Sequence, residues 1–274
     1  MELIKKHGFH FKKKWGQNFI LDKNILSRLV NGAQIAPGDR VVEIGSGAGT
    51  LTRSLAEAGA QVLAVEIDPA LIPILAESLE GLPIPVVQGD VLQMDLDMLT
   101  RRHGLAWPYK IVANLPYYIT TPVIMDLLEK KYHIDSLTLM VQWEVAQRLT
   151  ARPGTKEYGA ITLAIRYFTE PAILFKVSRH NFNPRPEVDS AVIHLQRRGQ
   201  PAVDVDNEEL LFRLIKAGFG QRRKMLPNAL QAVEPGLAKH VVQHRLEKAG
   251  IDGQRRGETL SLEEYAALAQ VWQE

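Results

Sequence analysis

Asn114-Leu115-Pro116-Tyr117 gathers in one short stretch the groups needed to hold a flat ring that carries an exocyclic amine. Asn114 brings a side-chain carbonyl, which accepts hydrogen bonds. Leu115 brings a backbone carbonyl beside it. Pro116 fixes φ and removes a donor, which stiffens the turn. Tyr117 brings an aromatic face. Two acceptors and a ring suit the amine of a base such as adenine. Hydrogen bonds from its N–H groups to the two carbonyls pull the nitrogen toward tetrahedral geometry and aim its lone pair.

Gly45, Gly47 and Gly49 form a second candidate site. Glycines let a backbone approach a ligand closely, and the helix that follows offers free N–H groups. The spacing is not that of a dinucleotide-binding loop, which needs glycine or alanine where Thr50 stands. Nor is Gly45-Ser46-Gly47 a nucleophile elbow, because its glycines are too close to the serine. Acidic residues recur in step with the strands: Glu43, then Glu66 followed by Ile67, then Asp90 followed by Val91. Any one of them could simply cap the next helix; together, at successive strand ends, they point to a ligand. A phosphate would be repelled by this rim. A cationic nucleoside suits it, and S-adenosylmethionine offers a sulfonium, an amine, a ribose diol and an adenine. Glu43, Gly45, Gly47, Glu66, Ile67, Asp90 and Val91 are the expected cofactor contacts, with Asn114 at the junction of cofactor and target.

Strand ends must carry these groups. Apolar runs at Arg40–Ile44, Gln61–Val65, Ile84–Val87, Tyr109–Ala113 and Ser136–Gln142 read as buried strands. Helical patterns alternate with them near 22–33 and at Thr50–Ala58, Thr120–Lys131 and Trp143–Leu149. Asp189–Leu195 alternates with the period of a strand. This order predicts an α/β fold: a doubly wound, mostly parallel, Rossmann-like sheet. Residues 150–160 read as a loop, and the prolines of 181–186 make that stretch a stiff extended loop. A shift to Gly, Pro and Asp at 199–206 suggests a linker. The expected domains are 1–200, catalytic, and 201–274, helical. Capping-box patterns at Asp206/Glu209 and Ser261/Glu264 mark two of the later helices.

Composition narrows the chemistry. Hydrophobic residues are 46% and charged residues 23%, as in an ordinary globular protein. There is no cysteine, which excludes a thiolate zinc site, iron–sulfur chemistry and a cysteine nucleophile. No apolar run reaches the ~18 residues of a membrane span, and the basic start lacks the apolar core of a secretory leader. A cytoplasmic protein is expected. His240 and His244 lack a third ligand, so no metal is expected. Net charge is only +2, so the distribution of charge matters more. Lys12, Lys13 and Lys14 belong to a basic start interleaved with Phe9, Phe11 and Trp15. Alone, such a run reads as a solvated, flexible terminus. Paired with Arg222-Arg223-Lys224, it reads as an extended surface for a nucleic-acid backbone.

Several motifs together resemble one family. Gln17-Asn18-Phe19, Glu43-Ile44-Gly45 with Gly47, Asn114-Leu115-Pro116-Tyr117, the stretch from Phe182 through Pro184, Pro186 and Val188-Asp189-Ser190-Ala191-Val192, and Phe219 with Gln221-Arg222-Arg223-Lys224 are similar to the KsgA-type (RsmA) small-subunit ribosomal RNA adenine dimethyltransferases. The likeness spans nearly the whole chain, with Ile20 where leucine is usual. It implies that Asn18, Ile20, Gly45, Glu66, Asp90 and Asn114 hold S-adenosylmethionine. Glu66 would take the ribose hydroxyls and Asp90 the cofactor's adenine amine. Phe182 would cover the target ring opposite Tyr117. It implies dimethylation of two adjacent adenines near the 3′ end of 16S rRNA, by a monomer acting on an immature 30S particle. A non-catalytic factor on the same scaffold would need neither the Asn-Leu-Pro-Tyr turn nor the acidic strand ends. An oxidoreductase would need a different glycine loop.

Overall fold

The computed structural model describes residues 2–9, 11, 16–20, 22–221, 223–234 and 236–272. In chain order the first elements are α1 (Glu2–Lys6), β1 (Phe19–Ile20), α2 (Lys23–Gly32), β2 (Arg40–Ile44), α3 (Thr50–Glu57), β3 (Gln61–Glu66), α4 (Ile72–Ser78) and β4 (Val86–Gln88). Then come α5 (Leu96–Arg102), β5 (Tyr109–Asn114), α6 (Thr120–Glu129), β6 (Ile134–Gln142), α7 (Trp143–Thr150), α8 (Ala160–Phe168), β7 (Thr169–Val177), β8 (Phe182–Asn183) and β9 (Ser190–Arg197). Four helices follow: α9 (Glu208–Gly220), α10 (Leu226–Ala229), α11 (Lys239–Lys248) and α12 (Leu262–Trp272).

The main sheet runs β4-β3-β2-β5-β6-β9-β7. The pairs β3–β4, β2–β3, β2–β5 and β5–β6 are parallel, and β9 joins β6 antiparallel. Strand order reverses between β2 and β5, which is the switch point where open α/β sheets bind ligands. The glycine loop leaves β2 on one side of that crevice, and the Asn-Leu-Pro-Tyr turn leaves β5 on the other. The apolar runs become strands because helices cover both faces: Val41, Val42, Ile111, Val112 and Leu139 are all fully buried. Helix α2 starts where Asp22 accepts from the Asn24 N–H at 2.8 Å, and it buries Ile25, Leu26, Leu29 and Val30.

The sequence does not foretell the second, two-stranded sheet. β1 and β8 pair antiparallel, Ile20 opposite Phe182 and Phe19 opposite Asn183. Strands this short leave no periodicity to read. The described residues near the start pack against α4. Ile4 is buried against Leu71 and Ile74, with Leu3, Phe9, Phe11 and Phe19 packed around them. Lys6 and His7 both bond Glu77. The apolar residues between the lysines decide this, since they have a face of α4 to cover. Lys12, Lys13, Lys14 and Arg222 lie outside the described residues.

By packing, the chain divides into two compact units: 1–146 with 172–197, and 147–171 with 198–274. Residues 147–171 thus cluster with the C-terminal helices, although they precede the 199–206 composition break. Within that second unit the Tyr158 hydroxyl donates to the Leu260 carbonyl at 2.9 Å, and Phe168 stacks on Phe212 at 5.9 Å between ring centroids. Asn207 caps α9, its side chain accepting from the Leu210 N–H at 2.9 Å, so the cap is one residue later than Asp206. The box at Ser261 and Glu264 closes in both directions, at 2.8 and 3.3 Å.

Candidate active site

A cavity of about 290 Å³ opens at the switch point. It is near the lower end of the roughly 300–1,000 Å³ usual for small-molecule sites. Asn18, Ile20, Glu43, Gly45, Gly47, Glu66, Ile67, Asp90, Val91 and Asn114, the expected cofactor contacts, all line it, and so do Leu115 and Pro116. Residues from five separate stretches of chain meet here because the parallel strands end on one edge.

The glycine loop is shaped by the residue it faces. Gly47 has φ +59, where L side chains are rarely found, and a Cβ there would sit 2.8 Å from the Phe19 ring. Its N–H donates to Glu66 Oε2 at 2.7 Å, while Glu66 Oε1 accepts from the Asp68 N–H at 2.8 Å. Burial of Glu66 raises its pKa, and those backbone bonds oppose the rise. Asp90 acts as a cap as well as a lining residue: its side chain accepts from the Leu92 N–H at 3.1 Å.

Glu43 differs from the other two acids. It is 1% exposed, and burial pushes its pKa up to about 8, with Ser46 and Thr52 countering only in part. Glu43 Oε2, Ser46 Oγ and Thr52 Oγ1 are buried without a hydrogen-bond partner among the described residues. At neutral pH Glu43 is therefore mainly a neutral acid and adds little to the anionic rim inferred from three carboxylates. Below about 4.5, Glu43 is protonated folded or unfolded. As pH rises from there to about 8 the unfolded chain loses the proton and the native one keeps it, so stability falls, and the loss is complete above about 8. Glu43→Gln is expected to flatten this slope. Urea midpoints measured at about pH 5 and about pH 9 should then fall less in the variant than in the parent. Equal falls would count against a buried proton at Glu43.

Asn114 is half-buried at the end of β5, and its Nδ2 donates to the Asn18 carbonyl at 2.8 Å. That bond fixes which way the amide faces and leaves Oδ1 as the free acceptor. Asn18 in turn donates from Nδ2 to the Gly16 carbonyl at 3.1 Å. The Gln17 side chain donates to Asp68 at 3.0 Å. The segment before β1 thus forms a wall of the site.

Tyr117 is half-buried, with its hydroxyl 2.8 Å from Ser190 Oγ at the head of β9. Phe182, expected at the target ring, is only 3% exposed. Pairing of β8 with β1 packs its ring with Ile20, Leu26 and Val112 in the core. Neither ring lines the cavity. Tyr118 does; it is 56% exposed and lies against Gly16, and nothing in its sequence context singled it out. Arg223 and Lys224 are exposed. His240 and His244 are exposed on α11.

The sequence profile of the family described as "Ribosomal RNA adenine dimethylase" matches residues 8–268. The chain belongs to the ribosomal RNA adenine dimethylase family. Relatives include the "Ribosomal RNA small subunit methyltransferase A" of Alkaliphilus oremlandii, 48% identical over 98% of this chain and 94% of that one. The protein of the same name from Clostridioides difficile is 45% identical over 98% and 93%. Among solved structures, the 23S rRNA methyltransferase ErmE aligns with a TM-score of 0.71 at 29% identity, covering 94% of this chain and all of that one. A dimethyladenosine transferase from Plasmodium falciparum shares the fold with a TM-score of 0.76 at 24% identity, covering 91% and 95%. As a member of the adenine dimethylase family, this is an enzyme that uses S-adenosylmethionine. The cavity fits that cofactor: the acids Glu66 and Asp90 line it together with apolar Ile20, Ile67 and Val91 and the glycines Gly45 and Gly47.

Proposed function

We propose that this enzyme dimethylates the exocyclic amines of two adjacent adenosines near the 3′ end of 16S rRNA. It acts as a cytoplasmic monomer on an immature 30S particle. Near-full-length similarity to proteins named small subunit methyltransferase A supports the choice of RNA. The observation that carries the chemistry is the Asn114–Asn18 bond, which occupies the amide nitrogen of a residue that lines the cavity and leaves its oxygen as an acceptor.

Bound S-adenosylmethionine supplies an electrophilic methyl group on a sulfonium. Glu66 takes the ribose hydroxyls, Asp90 the cofactor's adenine amine, and Asn18, Ile20, Gly45, Ile67 and Val91 complete its seat. The target adenine turns out of its stack. Asn114 Oδ1 and the Leu115 carbonyl accept from its amine, while Pro116 keeps the two acceptors at fixed spacing. Tyr117 offers its ring; Phe182 reaches the other face only if β8 shifts from its core position. Orientation and charge placement supply most of the rate. Asn114 has no carboxylate to take the displaced proton, so that proton leaves to solvent.

The unit of residues 1–146 with 172–197 is catalytic, and the unit of 147–171 with 198–274 helps grip the particle. Lys12, Lys13, Lys14, Arg222, Arg223 and Lys224 contact the RNA backbone. Replacing Arg222, Arg223 and Lys224 together by alanine is expected to weaken particle binding and lower the slope of log K against log salt by about 2, given ~0.7–0.9 per phosphate contact. A slope unchanged from the parent would remove the segment from the interface. Methyl transfer to 30S particles from a strain lacking the modification tests the whole reading; particles left unmodified would contradict it.

A further inference from the structure

A second cavity, of about 430 Å³, lies beside the turn that holds Tyr117. Trp143, Lys176, Arg179, Glu187, Val188 and Asp189 are among its walls. The strand register places it. Gln142 ends β6 opposite Ser190, the residue whose hydroxyl meets Tyr117 at 2.8 Å. Trp143 and Asp189 are the next residues on either side of that pair.

The walls are braced. Lys176 Nζ sits 5.2 Å from the Trp143 ring centroid and 2.9 Å from Asp189 Oδ2. Asp189 Oδ1 accepts from the Arg179 N–H at 3.1 Å, and the Arg179 guanidinium donates to the Glu187 carbonyl at 2.8 Å. Val188, also among the lining residues, is 44% exposed.

Charge decides what class of ligand suits the recess. Lys176 and Arg179 face Glu144, Glu187 and Asp189, so the walls are net negative and disfavour a phosphate. A neutral flat ring with N–H donors fits instead, because it can stack on an indole and donate to carboxylates. We infer that this recess holds the purine base adjacent to the one being methylated, stacked on Trp143 with its exocyclic amine toward the carboxylates. The inference rests on the proposed reaction on paired adenosines: while one base occupies the turn at Asn114, its neighbour occupies the recess.

The test uses the full-length enzyme and undermethylated small-subunit particles, either natural or with one of the two adenosines changed to uridine. Trp143→Ala is expected to lower kcat/KM on natural particles about 10-fold or more, mainly through KM, the scale of one lost base–aromatic stack. Trp143→Phe should recover most of it. The wild-type enzyme should act several-fold more slowly on uridine-bearing particles than on natural ones, whereas Trp143→Ala should treat the two alike. S-adenosylmethionine affinity, read by calorimetry, should be unchanged in both variants. If Trp143→Ala fails to fold, Trp143→Leu, which keeps an apolar side chain but has no ring to stack on, takes its place. A uridine penalty as large in the ring-less variant as in the parent overturns the inference while leaving the reaction standing. A wild-type enzyme that methylates neither kind of particle removes the reaction itself, and this site with it.

Discussion

Asn114→Ala is expected to slow methyl transfer by about 10²–10³-fold, the cost of removing one preorganised polar contact at a reacting centre. S-adenosylmethionine affinity should change only a few-fold, because Glu66 and Asp90 remain. The size follows from the amide's two jobs. Its Nδ2 ties β5 to the Asn18 carbonyl at 2.8 Å, and its Oδ1 remains an acceptor on a residue that lines the cavity. Alanine removes the acceptor that orients the amine and also frees the wall before β1. Asn114→Asp separates the two jobs. A carboxylate keeps an acceptor in the cavity but sets an oxygen against the Asn18 carbonyl, so it too should be slow. Single-turnover rates with saturating cofactor give the reading. Transfer within threefold of the parent in Asn114→Ala would take this residue out of the mechanism.

Glu66→Ala should weaken S-adenosylmethionine binding by about 100-fold or more, equivalent to ~2.7 kcal/mol. The carboxylate accepts from the Gly47 and Asp68 N–H groups at 2.7 and 2.8 Å, and all three residues are buried. Leaving a buried donor unsatisfied costs about 1–3 kcal/mol. The proposed ribose contact would be lost in addition. The glycine loop, held between Glu66 and the Phe19 ring, is then free to move. Glu66→Gln has one acceptor oxygen for two donors and should fall between parent and alanine. Calorimetry gives the order parent, glutamine, alanine in decreasing affinity. Alanine binding as tightly as the parent would mean that the strand-end acid does not hold the cofactor.

Much of this architecture is written in local patterns. The runs around Val41 and Ile111 carry no polar alternation because helices cover both faces, so they read as central parallel strands from sequence alone. Glu66, Asp90 and Asn114 announce themselves because each ends such a run. What the chain hides depends on distant partners. β1 and β8 are too short to leave a pattern, yet their pairing places Asn18 against Asn114 and buries Phe182. The neutral state of Glu43 depends on its burial, which spacing does not reveal. Asp206 and Asn207 are both capping types, and only packing selects the second. Residues 147–171 join the C-terminal helices through contacts such as Tyr158 to Leu260, which lie far apart in the chain.

The most direct check on the central claim is the position of the transferred methyl. RNA from undermethylated small-subunit particles, incubated with the enzyme and methyl-labelled S-adenosylmethionine, can be digested to nucleosides and resolved by mass spectrometry. A rigid pair of carbonyls gripping an exocyclic amine predicts label on that nitrogen alone, two methyl groups on each of two neighbouring adenosines. Label on a ring carbon, a ring nitrogen or a ribose oxygen would contradict it.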